Sequence, residues 1–199
     1  TRNIRLSAAN GVNPANQTSD MILDEMRIWN DQRTTTELGD CMFRELTDSE
    51  INDSSLVGYW PLNDCLNICA DKSYKGNNAA LYVGSAFYVP GLVPESGEDD
   101  YALRGDAIDD FATAVYNAAY APVLNTGSRW TVEFWARLDS SVLPAAIQTL
   151  LSFGDYTTTG VGQRGAVVTV NMTVAGLLEY RHSSTTTYQN AQRTLTTPY

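Results

Sequence analysis

Carboxylates come closest to a catalytic grouping in this sequence. In "MILDEMRIWNDQRTTTEL", Met21 to Leu38, the acid pair Asp24-Glu25 interrupts a strand-like apolar run. Hydrolysis of a glycosidic bond with retention uses two carboxyl groups about 5 Å apart, one as nucleophile and the other as acid. On a strand both must lie on one face, because successive side chains alternate. The same-face neighbours of Asp24 are Ile22 and Met26, and Glu25 shares its face with Arg27. Period two therefore predicts a Glu25–Arg27 pair. It puts Asp24 on the parity of Ile22, Met26 and Ile28, where a carboxylate must find backbone or hydroxyl donors. No residue is assigned a catalytic role, and Asp24, Glu25, Arg27 and Trp29 are expected to be structural.

Other reactive groupings are sparse. His182 is the one histidine, beside a Ser/Thr run with no flanking catalytic signature. Three cysteines, Cys41, Cys65 and Cys69, have neither paired Cys-x-x-Cys spacing nor a nearby histidine, so zinc is not expected. They are disulfide candidates, one pair with one thiol left over. The 23 Asp and Glu outnumber the 13 Lys and Arg, and Lys72 and Lys75 are the only lysines. Phosphate-tracking nucleic-acid binding needs a basic stripe, which this composition does not supply. No apolar run reaches 18 residues, so membrane insertion is not expected.

Acceptor sequons at Asn16, Asn52 and Asn171, with several Thr clusters, predict a glycosylated, extracellular or cell-surface protein. The first residues lack a signal-peptide centre, so a targeting segment would have been removed or lie outside this chain.

The elements that must position these residues are nearly all strands. At 199 residues and 43% hydrophobic content the chain can bury a sizeable core. Strict alternation in "RWTVEFWARLD" puts Trp130, Val132, Phe134, Ala136 and Leu138 on one face and Glu133, Trp135 and Arg137 on the other. In "AVVTVNMTV" it aims Val168, Val170 and Met172 inward and turns Asn171 to solvent. Further strands are expected at "NIRLS", "MILDEMRIW", "LVGYWPL", "AALYVG", "YALRG", "ATAVYN", "QTLLSFG" and "LLEYRH". Thr34-x-x-Glu37 and Thr47-x-x-Glu50 have the form of capping boxes that open very short helices.

Taken together these segments resemble the laminin G-like, concanavalin A-like jelly-roll superfamily of lectins and glucanases. "LDEMRIWNDQRTTTEL" is similar to the family's closing segment, an acid-acid-x-Arg-x-Trp strand before a helical turn. "LVGYWPLNDCLNICADKSYKGNNAALY" resembles its opening, with Asp71 as the turn acid that braces the loop. "YALRGDAIDDFATA", "SRWTVEFWARLDSS" and "QTLLSFGD" resemble the strands that follow. The implied fold is all-β, an antiparallel β-sandwich or jelly roll with one-turn helices. Glucanases of that superfamily carry Glu-x-Asp-x-Glu or a close variant, and Ile22, Met26 and Arg27 occupy the positions where the partner acids would stand.

The segments occur out of family order, since the closing strand precedes the opening one. Residues 1–50 are therefore expected to be the closing strands of one laminin G-like domain, and 54–199 most of a following one. A fragment of a tandem-repeat chain is the favoured explanation. A permuted single sandwich and N-terminal strands that complete a neighbour's sheet are the others.

The resemblance implies a non-catalytic adhesive or structural module of a secreted or surface-displayed multidomain protein. Its partners would be neighbouring like domains or subunits, by strand complementation in one version. The alternative is a calcium-assisted carbohydrate-binding module. There Trp135, Glu133 and Arg137 would contact the sugar, and Asp99, Asp100, Asp106, Asp109 and Asp110 would hold calcium, the one cofactor expected. A glycoside hydrolase of the superfamily ranks third, because the carboxylate dyad is missing.

Overall fold

In a computed structural model the described residues fold into two antiparallel sheets with two short helices. The structure describes residues 3–6, 21–64, 67–82, 87–93, 100–105, 110–115, 129–138, 148–154, 167–173, 178–183 and 188–192. The elements in chain order are β1 (Asn3–Leu6), β2 (Met21–Trp29), α1 (Thr35–Cys41), α2 (Asp48–Ile51), β3 (Leu56–Trp60), β4 (Ile68–Cys69) and β5 (Ala79–Tyr82). They continue with β6 (Phe87–Pro90), β7 (Tyr101–Arg104), β8 (Phe111–Val115), β9 (Thr131–Leu138), β10 (Gln148–Gly154), β11 (Val167–Met172), β12 (Leu178–Ser183) and β13 (Tyr188–Gln192).

The larger sheet runs β13-β12-β11-β10-β1-β8-β5-β4. In the smaller one β2 is the shared strand. β9 pairs along one edge of it, β7 pairs with Ile22 and Leu23 on the other edge, and β3 takes Met26 to Trp29 beyond them. β6 pairs with the far side of β7. The all-β sandwich expectation thus holds. Among the described residues β1 and β2, from residues 1–50, lie between strands of 54–199: β1 between β10 and β8, and β2 between β9 and the β7–β3 edge.

Alternation explains the larger sheet's share of the core, whereas β2 and β3 of the smaller sheet break step where their register shifts. Ile4, Ala112, Ala114, Leu151 and Phe153 from one sheet meet Leu23, Met26, Ile28, Val57, Trp60 and Leu103 from the other. Burying side chains of this size stabilises by roughly 1.5–3 kcal/mol each. A second cluster, Trp29, Cys41, Leu46, Leu56 and Tyr59, lies on the outer face of the smaller sheet, where the helical segment covers it.

Both capping boxes form. The Thr34 and Thr47 hydroxyls accept from the Glu37 and Glu50 amides, and each glutamate reaches back to its cap. At seven residues α1 is longer than the single turn expected.

Candidate functional site

The outer face of the smaller sheet gathers most of the residues singled out in the sequence, and one irregularity in β2 arranges them. Between Asp24 and Arg27 two β2 residues oppose a single residue of β9, since Asp24 pairs with Trp135 and Arg27 with Glu133. Glu25 adopts φ 51°, the left-handed region that costs a side-chain-bearing residue on the order of 1–3 kcal/mol. This is a β-bulge, and it reverses the alternation. Leu23, Met26 and Ile28 all reach the core, while Asp24 and Arg27 both face outward. The expected parity of Asp24 with Met26 and Ile28 is thereby corrected: a strict period of two fails across the extra residue.

The predicted Glu25–Arg27 pair forms, with Arg27 only 2% exposed. Arg27 Nη2 donates to Glu25 Oε2 and to the Arg44 carbonyl (2.5 Å), and Nη1 donates to the Cys41 carbonyl (2.9 Å). The Tyr59 hydroxyl donates to the Glu25 carboxylate (3.0 and 3.1 Å) and accepts from the Leu46 amide (3.4 Å). One buried ion pair thus grips the end of α1 and the chain after it. Burial alone would lower the Arg27 pKa, but Glu25 holds it above its ordinary value. Burial, and then the Glu25 charge, pushes the Tyr59 hydroxyl far up.

The residues expected to contact a sugar belong to the same fabric. Glu133 is 13% exposed and accepts from Trp29 Nε1 at 2.5 Å. Its other oxygen lies 3.8 Å from Arg27 Nη1 and 3.7 Å from the Cys41 thiol. Burial raises its pKa despite Arg27. Trp135 Nε1 donates to the Met42 carbonyl at 2.6 Å, and its ring lies 5.3 Å from that of Phe43. Arg137 is exposed. Trp135, Glu133 and Arg137 therefore do not converge on an open site, because the α1–α2 connection covers the first two. Phe43, which the sequence reading did not single out, is 60% exposed.

Asp24 has a different environment. Its Oδ2 accepts from the Leu92 and Val93 amides, and burial pushes its pKa up to about 7. Asp71 braces its turn: Oδ1 accepts from the Tyr59 and Ser73 amides (both 2.9 Å) and Oδ2 from Asn77 (2.8 Å).

Of the calcium candidates, Asp99, Asp106 and Asp109 lie outside the described residues. Asp100 packs against Gly91 and Asp110 is buried. Among the described residues no three His, Cys, Asp or Glu side chains are placed to hold a metal ion.

Cys41 and Cys69 are buried free thiols, the first in the cluster under the helices and the second in the inter-sheet core. The smaller sheet separates them, so a Cys41–Cys69 bridge is excluded, and Cys65 lies outside the described residues. Burial raises both thiol pKa values, that of Cys69 to about 11.

Asn52 is exposed, Asn16 lies outside the described residues, and Asn171 is 3% exposed. The solvent-facing expectation for Asn171 is corrected. It does face away from Val170, but Thr149 on β10 and Glu179 on β12 pair with it as buried polar neighbours, and its Oδ1 accepts from Thr149 Oγ1 at 2.9 Å.

Among the described residues no helix is long and apolar enough to cross a membrane. No protein-family model, curated protein or solved structure matches the chain.

Proposed function

We propose that this chain is a non-catalytic extracellular adhesive or structural module of a larger, glycosylated multidomain protein, with a laminin G-like jelly-roll fold. The observation that supports this most is what β2 does with its side chains. All nine of its residues are buried. Arg27 and Trp29 bind the helical cover and Glu133 across the sheet, while Asp24 binds the loop after β6. A strand that carries an acid pair in this way closes a sandwich and offers no carboxylate dyad to a substrate. In a longer array each closing strand would join a module to its neighbour, and exchange of that strand between chains would be one form of adhesion.

A lectin-like reading has its own support. Phe43 is exposed beside Trp135, with Arg137 nearby on β9, and an exposed aromatic face can stack on a sugar ring. A glycan array probed with the intact chain and with Phe43→Ala, each in calcium and in chelator, separates the two. Absence of binding throughout is the outcome expected of the adhesive module. Binding that Phe43→Ala abolishes would replace that reading with the lectin one, and release of sugar from a β-glucan would replace both.

A further inference from the structure

Asp24 is 0% exposed, its Oδ2 accepts from Leu92 N at 2.7 Å and Val93 N at 3.3 Å, and its Oδ1 has no hydrogen-bond partner. A second carboxylate flanks the same stretch of backbone. Asp100 lies so close over Gly91 that a Cβ added there would collide with its carboxyl group. The Gly91 amide donates to the Asp100 carbonyl at 3.0 Å, and Asp100 Oδ1 is also buried without a partner. Gly91–Val93 is thus held between two acids, each with one unsatisfied oxygen.

The charged surroundings do not relieve them. Glu25, next to Asp24 on β2, and Asp100 both repel Asp24, and Glu45 repels Asp100. Arg27 is engaged by Glu25 and by the Cys41 and Arg44 carbonyls. Arg104 on β7 and Arg137 on β9 stand opposite Ile22, two residues from Asp24, while the charges that act on Asp24 most are those of Asp100 and Glu25. Two neighbouring carboxylates, one buried and one half-buried, are tolerated when one of them keeps its proton.

We propose that Asp24 and Asp100 form a proton-operated latch on Gly91–Val93. With a proton on the pair, the stretch is pinned against β2. When the proton leaves to solvent, the carboxylates repel and the stretch is released.

The direction follows from linkage. In the closed state burial holds Asp24 at about 7, against an ordinary 3.8 when the stretch opens and water reaches it. Closing is therefore favoured below about 4 and loses its advantage as pH rises through 7. Between those limits the closing equilibrium changes about tenfold per pH unit.

The test is amide hydrogen exchange at Leu92 and Val93 in the intact chain from pH 5 to 8, corrected for intrinsic rates, in chelator and in calcium. Protection in the wild type is expected to rise about tenfold per unit as pH falls from 7 to 5. Asp24→Asn should flatten the profile, and Asp100→Asn should move its midpoint to lower pH. A flat wild-type profile, or a midpoint unmoved by Asp100→Asn, overturns the latch even if Asp24→Asn does not fold. Calcium that restores full protection at pH 8 overturns it too, because a cation rather than a proton would then hold the pair.

Discussion

Glu25 and Asp24 are consecutive residues, both buried in one strand, and they meet opposite fates. Glu25 faces a guanidinium and a hydroxyl, so its charge is compensated. Asp24 faces two backbone amides and a second acid, so its charge is opposed. What separates them is the bulge, which sends both carboxylates to the outer face of the sheet but only one of them to an arginine. Burial alone therefore does not give a carboxylate its role. Its partners do, and here they make one acid a clamp and the other a titrating group.

The compensated half can be broken in graded steps. Arg27→Met should have the largest effect, about 3–5 kcal/mol of unfolding free energy, because Glu25, the Cys41 carbonyl at the end of α1 and the Arg44 carbonyl beyond it lose their donor together. Urea unfolding followed by tryptophan fluorescence would measure it. Next comes Glu133→Ala, expected to cost about 1–3 kcal/mol by leaving the buried Trp29 indole N–H without an acceptor. Thr47→Ala removes one cap and should cost about 1 kcal/mol, seen as a lower urea midpoint with an unchanged slope.

Smallest is Arg44→Ala, at most about 1 kcal/mol, since its pair with Glu50 is half in water. That contribution has a defined pH window. The Arg44 hydrogen bond outweighs desolvation and holds Glu50 at about 2, below its ordinary 4.5. The stabilisation is thus present above about 4.5 and lost as pH falls toward 2, so the Arg44→Ala difference should vanish in acid.

Much of this architecture was legible in the sequence, for identifiable reasons. Alternation in residues 130–138, the strand expected at "QTLLSFG" and the two Thr-x-x-Glu boxes are local signals that local structure obeyed. The Glu25–Arg27 pair was legible too. The side of Asp24 was not, because a bulge with positive φ is usually announced by Gly or Asn, and here the residue is Glu. Trp135 was placed on the correct outer face. Its cover by Met42 and Phe43 depends on a contact between distant parts of the chain that no periodicity encodes. Asn171 failed in the same way, since its parity was right but a polar residue can be buried when neighbouring strands supply polar partners. The strand expected at "MILDEMRIW" is β2, on which the smaller sheet is built.

The contrast between the two acids is tested most directly by urea unfolding at pH 8 of the wild type, Glu25→Gln and Asp24→Asn. Glu25→Gln should destabilise, because Arg27 then stays buried without its counter-charge. Asp24→Asn should stabilise, because at pH 8 the wild type must either bury an ionised carboxylate or give up the contacts of Gly91–Val93, and that gain should shrink at pH 5. Opposite signs at pH 8 are the predicted result. Two substitutions that shift stability in the same direction would contradict the account.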